Sequence, residues 1–210
     1  AYRDSLAGAI EAQQFFSAAL ADAPPLATPF AGDPFSLALR QIARIVAIRE
    51  TLGASRQTFF ITVGGWDHHD DVLENQAEML PMIDSGLAAF RDALAELGML
   101  DRVTTFTTSD FGRTLTSNGK GSDHGWGGHH VVMGGAVNGG GFYGEYPDIY
   151  PDNPLDVGRG IFVPTLSVDE YFAELALWFG VAPGDLATVL PNIGAFYSPS
   201  SGAAPVGFIA

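Results

Sequence analysis

Thr58-Phe59-Phe60-Ile61-Thr62-Val63-Gly64-Gly65-Trp66-Asp67-His68-His69-Asp70-Asp71 is the stretch on which the fold turns. Its first six residues are all β-branched or aromatic, and a glycine pair follows them. That pattern reads as a short buried strand ending in a tight loop. Upstream, Phe35, Leu39, Ile42, Val46 and Ile48 recur at helical spacing, and Gly53 is a plausible stop. Downstream, Leu73, Leu80, Ile83, Leu87, Phe90, Leu94 and Leu97 mark a long helix from Asp71, which Pro81 should kink or split and Gly98 should cap.

The same alternation continues. Val103 to Thr108 reads as a second strand, followed by the loop Ser109-Asp110-Phe111-Gly112-Arg113. A polar, glycine-rich loop spans 116–128, and Val131-Val132-Met133 is a third, very short strand running into Gly134-Gly135. A helix opens the chain over about the first 23 residues, a proline-rich connector covers Asp22 to Gly32, and a last helix covers about 168–179 with Gly180 as its stop. Residues 138–160 look irregular, and the tail has no strong pattern. Strands separated by crossovers of this length imply parallel pairing. The expectation is therefore one α/β domain over 1–210 with a mostly parallel sheet, and sites at the C-terminal ends of its strands.

Composition narrows the function classes. Apolar residues make up 47% and charged residues 16% of the 210, which is globular rather than disordered. A net charge of −14, with nine arginines and the single Lys120, argues against nucleic acid as a partner. No apolar run reaches the roughly 18 residues of a membrane span. The lack of cysteine removes disulfides, thiol catalysis and thiolate-bound zinc. A first residue other than methionine reads as a processed product or a piece of a longer chain.

All five histidines fall in two windows, His68-His69 and His124 with His129-His130. Asp67, Asp70 and Asp71 flank the first window, Asp123 the second, and Asp110 lies between them after the second strand. Imidazole and carboxylate are the natural ligands of zinc and similar cations where thiolate is absent. Sequence neighbours point different ways, so His68 and His69 do not easily face one ion, and neither do His129 and His130. His130, at the start of a strand, is the strongest candidate for a structural role. Arg113 suits either an anionic substrate oxygen or a surface ion pair. Ser109 and Asn118 fit turn chemistry better than ligand contact. The Gly134–Gly144 stretch lacks the Lys-Ser/Thr ending and following helix of a phosphate loop. Trp66 and Trp126 flank the histidine windows, as pocket walls or as ordinary packing.

In order, Gly64-Gly65-Trp66-Asp67-His68-His69, Ser109-Asp110-Phe111-Gly112-Arg113-Thr114, Asp123-His124-Gly125, Gly134-Gly135, Val163-Pro164-Thr165 and Trp178-Phe179-Gly180 resemble the motifs of the DUF1501 family over about residues 35–197. That uncharacterised bacterial family is related to the alkaline phosphatase and sulfatase superfamily. The resemblance implies a three-layer α/β/α sandwich, alkaline-phosphatase-like and incomplete at its N-terminus, with this chain as its C-terminal portion. It implies one metal, zinc first among candidates, on Asp67, His69 and His124. Asp110 would hold a second ion or act as a base, and Arg113 would orient the anion. His68 stands where the family has threonine, Asp110 where it has glutamate, and Phe111 where the superfamily has a second-metal histidine.

The function so implied is metal-dependent hydrolysis of phosphate or sulfate esters, with a small anionic ester as substrate. The missing N-terminal portion is a possible partner. A periplasmic or extracellular home is implied by the family alone. The alternative is a catalytically inactive binding or structural module of the cell envelope, motivated by the absence of the N-terminal strand that carries the superfamily's nucleophile. A third reading keeps the histidines as a metal-free hydrogen-bond network, which a separation of His69 and His124 beyond about 7 Å would favour.

Overall fold

A computed structural model of the chain describes residues 2–150 and 153–210. Its helices are α1 (Tyr2–Ala21), α2 (Pro34–Ala47), α3 (Val72–Glu96), α4 (Val168–Phe179) and the short α5 (Leu186–Val189). Its strands are β1 (Thr105–Phe106), β2 (Gly112–Ser117), β3 (Ser122–Gly125) and β4 (Val132–Met133). They form two separate two-stranded ladders, β1 with β4 and β2 with β3, both antiparallel.

This overturns the expected three-layer α/β/α, alkaline-phosphatase-like sandwich with a mostly parallel sheet. The physical reason lies in pairing. Thr58–Val63 has the right residues for a buried strand but pairs with no strand among the described residues, and its Phe60 is 82% exposed. β-propensity only says that a segment suits a pleated, half-buried surface; a neighbouring strand must still supply the ladder. The second expected strand shrinks to Thr105–Phe106, which takes Val132–Met133 as its partner in the opposite direction.

The polar stretch expected as loop becomes the better-formed ladder. Asn118-Gly119 reverses the chain between β2 and β3. Gly119 sits at φ +105°, and Asn118 Oδ1 accepts from Lys120 N–H at 3.1 Å and Gly121 N–H at 2.8 Å. A side chain that satisfies the turn's own amides is what makes Asn-Gly a hairpin signal.

The chain divides into two compact units, Ala1–Gly65 with Gln76–Leu100, and Trp66–Asn75 with Asp101–Ala210. In the first, Asp33 caps α2 by accepting from Ser36 N–H at 2.8 Å, with Pro34 in the first turn. Leu39, Ala43 and Val46 form the buried stripe of α2; Phe90, Ala93 and Leu94 bury the later turns of α3. Pro81 does not split α3. Gly98, at φ +64°, and a Met99 N–H bond to Leu94 O close the helix, as expected of its stop. The Glu96 carboxylate ties down the connector by accepting from Ala27 N–H, Thr28 N–H and the Thr28 hydroxyl at 2.6–2.9 Å.

In the second unit α4 follows its expected bounds. Ser167 and Glu170 form a capping box, and Gly180 at φ +105° ends the helix. One side of α4 buries Tyr171 and Leu175 with Phe208, and the other buries Ala173 with Leu186 and Ile193. A buried carboxylate helps to hold the patternless tail. Glu174 accepts from Val206, Gly207 and Ile209 N–H at 2.7–2.8 Å. Among the described residues no helix is long and apolar enough to cross a membrane.

Candidate metal centre

The site is assembled from the second unit alone. The segment Trp66–Asn75 brings Asp67 and His69, and the β2–β3 hairpin brings Arg113 and His124. Gly121 seats one on the other. A Cβ on Gly121 would lie 2.5 Å from His68 O, so only glycine lets the hairpin approach the histidine segment this closely. Asn118 Nδ2 donates to His69 O at 2.9 Å, and Val72 N–H donates to Lys120 O at 3.2 Å.

Asp67 Oδ1 is the centre of the cluster. His124 Nε2 lies 2.7 Å from it, Arg113 Nη2 3.0 Å and His69 Nε2 3.1 Å. The hydrogen bond to His124 lowers the Asp67 carboxyl most; desolvation opposes it next, and the charge of His69 and the bond from Arg113 add to the lowering, so the group is held below its ordinary range. Asp67, His69 and His124 each offer one ligand atom within 4.8 Å of the others, and all three are exposed.

The rings are held in a stack. His69 and His124 have centroids 5.1 Å apart, well inside the limit that would have favoured a metal-free network. Phe111 lies flat on the other face of His124, with centroids 3.9 Å apart and planes 6° from parallel. Phe111 is thus a packing surface for His124. Arg113 lies 5.0 Å from the Phe111 centroid, and its Nη1 and Nη2 donate to Ser122 O and Trp66 O at 2.7 and 2.8 Å.

The donor set fits a divalent ion. Two imidazoles and a carboxylate with room for a further ligand are what an open zinc site uses. An ion about 2 Å from each donor needs donors roughly 3–3.5 Å apart. The 3.1 Å contact of His69 already has that spacing, and the 2.7 Å contact of His124 opens to it with a small ring movement.

The other predicted residues are placed as follows. Asp110 is exposed in the loop before β2 and is outside the cluster that can share an ion. Ser109 Oγ bonds Phe111 O at 3.0 Å, which is turn chemistry. His68 is buried beside Trp66, and its Nε2 has no hydrogen-bond partner among the described residues. His129 stacks on Tyr146, with centroids 5.5 Å apart. His130 lies ahead of β4 and stacks on Tyr171 at 5.7 Å; loss of water, then the neighbouring His129, lowers its pKa from the usual histidine value. Trp126 is 62% exposed. An open cavity of about 530 Å³ beside Tyr146, Asp148 and Tyr150 is lined by none of the predicted site residues.

Two residues escaped sequence reasoning in their observed roles. Asp123, noted only as a flank, faces His69 Nδ1 at 3.6 Å. Arg159 pairs with Asp123 and carried no signal beyond lying between two glycines.

Fold and site together define a mixed α and β chain with short antiparallel ladders and an exposed Asp–His–His cluster suited to a divalent cation. The chain belongs to the family described as "Protein of unknown function (DUF1501)", whose model matches residues 11–168. Neither the curated proteins nor the solved structures returned a match.

Proposed function

We propose that Asp67, His69 and His124 hold a divalent metal ion, zinc first among candidates, and that the chain uses it to hydrolyse phosphate or sulfate esters. The observation that carries this reading is the convergence of the three donors within 4.8 Å. A relation to the alkaline phosphatase and sulfatase superfamily, suggested by motif order alone, supplies the reaction class. A bound ion would polarise an ester oxygen or lower the pKa of a coordinated water. Arg113 fixes Asp67 from behind and orients an anion with whatever donor capacity its carbonyl partners leave. Asp110, one loop away in sequence, is the candidate base or second carboxylate. A small anionic ester is the substrate class, and a periplasmic or extracellular location follows from the family resemblance.

The test has two arms. Elemental analysis of the purified chain, before and after adding zinc, manganese, iron or calcium, should find close to one ion per chain. His124→Ala should weaken binding by at least about 10-fold, as loss of a direct ligand must exceed the loss of an outer partner. Turnover of nitrophenyl phosphate, its diester or nitrophenyl sulfate should fall to background in the same variant. A chain that takes up none of these ions sinks the reading.

A second reading keeps the metal site in a catalytically inactive envelope module. The observation in its favour is that both terminal nitrogens of Arg113 are already engaged by Ser122 O, Trp66 O and Asp67. Metal uptake without turnover of any of the three esters is its expected outcome.

A further inference from the structure

The open cavity of about 530 Å³ beside Tyr146 has no part in the metal reading. Its size falls among sites for small organic molecules, roughly 300–1,000 Å³. Its lining includes the run Glu145-Tyr146-Pro147-Asp148, then Tyr150, Asn153 and Thr165. The backbone of this wall is pinned. Thr165 Oγ1 donates to Glu145 O at 2.6 Å and accepts from Glu145 N–H at 3.2 Å. Asn153 is buried; its Nδ2 donates to Asp148 O and its Oδ1 accepts from Leu155 N–H at 2.8 Å. His129 steadies the Tyr146 ring by stacking on it, with planes 15° from parallel. A wall held in this way spares a ligand the cost of ordering it.

The side chains of the wall are left open to a partner. Tyr146 and Tyr150 are each more than half exposed. Glu145 and Asp148 are exposed as well, and neither carboxylate has a hydrogen bond or ion pair among the described residues. No lysine, arginine or histidine is among the described residues that line the cleft. The chemistry of that lining selects by charge. A tyrosine ring attracts a cation placed over its face, and a carboxylate accepts charge-assisted hydrogen bonds from an ammonium group. An anion would meet two unneutralised carboxylates and the field of a chain of net charge −14. A bare metal ion is served poorly, because neither Glu145 nor Asp148 belongs to a group of three donors that could share one among the described residues.

We propose that this cleft binds a small alkylammonium ligand, whose charged nitrogen lies against the Tyr146 and Tyr150 rings and donates to the Glu145 and Asp148 carboxylates. The rings remove the cation from water on one side, and the carboxylates take its N–H groups on the other. A ligand with N–H donors is therefore preferred over a quaternary ammonium of similar size. The site is separate from the Asp67–His69–His124 cluster and stands whether or not that cluster holds a metal.

The experiment is calorimetric titration of the full chain with spermidine, putrescine, choline and a lysine blocked at both ends. It is run at about 150 mM salt, where exposed charges more than about 8 Å away are largely screened. Spermidine or putrescine should bind at one site with Kd below about 1 mM, and choline more weakly. The blocked lysine carries the same ammonium on a protein side chain, so the tighter of it and the free amines names the ligand's source. Tyr146→Ala should weaken binding about 2–30-fold, the span of one cation–π contact, while Tyr146→Phe keeps the ring and stays near wild type. Glu145→Gln with Asp148→Asn should cost at least about 10-fold, as loss of hydrogen bonds to charged groups does. Glu78→Gln with Asp84→Asn removes the same two charges from exposed positions of α3 and should leave binding at the wild-type value. Circular dichroism confirms that each variant is folded. No saturable binding of any of the four ligands overturns the proposal. So does an equal loss in the two charge-removing pairs, which would assign the attraction to net charge, and so does choline binding as tightly as the amines.

Discussion

Asp67 shows how one carboxylate oxygen organises a site. Hydrogen bonds from His124 and Arg113 reach Oδ1, the His69 imidazole stands 3.1 Å from it, and together they favour its charged form. The sign of the pH effect follows. A carboxyl whose pKa falls on folding stabilises the native state above the ordinary carboxylate value of about 3.9 and loses that contribution as pH falls through the lower folded value. Asp67→Asn should therefore have a shallower acid-unfolding curve below about pH 4 than wild type, followed by circular dichroism. Equal slopes would mean that the contacts to Oδ1 do not persist in solution. At this scale much of the site was legible. Histidine, with five residues, is scarce enough in this chain for its clustering to be visible, and the Asp67–His69–His124 group is the one the structure brings together. The approach of Asp123 to His69 and its pairing with Arg159 were not legible, because such contacts are set in three dimensions and leave no spacing rule.

Elements divide into those whose ends are written locally and those that need a distant partner. Ser167, Glu170 and Gly180 specify both ends of α4 within its own sequence, and Asp33-Pro34 specifies the start of α2. Such caps act over three or four residues and can be read directly. Strand pairing is not local, and the expected parallel sheet failed on that ground. The hairpin was readable in principle from Asn118-Gly119, but its flanks lack the alternating apolar residues that normally accompany the signal. Gly121 is the test at this scale. Gly121→Ala should cost about 1–3 kcal/mol, the usual range for forcing atoms into a filled space, and should weaken zinc binding as the hairpin moves off His68 and His69. Thermal unfolding and zinc titration of the same sample measure both. Wild-type values for each would show that the contact relaxes freely.

Across the whole molecule, the cores are small and belong to separate stretches. Leu94 and Leu186 are almost fully buried, one in each compact unit. Leu186→Ala should cost about 2–5 kcal/mol through lost burial and the cavity left behind, and amide exchange should quicken in α4 and α5. Protection unchanged across those helices would contradict the packing of Ala173, Leu186 and Ile193 as one cluster. The charge of −14 gives the surface a field that draws cations, in keeping with an exposed donor set that could hold one.

Thr58–Val63 has a consequence for the protein as a material. Six uncharged, β-forming residues without proline lie outside any ladder among the described residues, and Phe59 and Phe60 are 40% and 82% exposed. Unladdered backbone beside exposed aromatic rings is a template for strands from other molecules, and short segments of this composition stack into fibrils. Samples should therefore cloud with concentration and time, and the deposit should bind amyloid dyes. Phe60→Lys should suppress the clouding by placing a charge on the sticky edge, while zinc affinity stays at the wild-type value. Equal turbidity in the two proteins would place the self-association elsewhere in the chain.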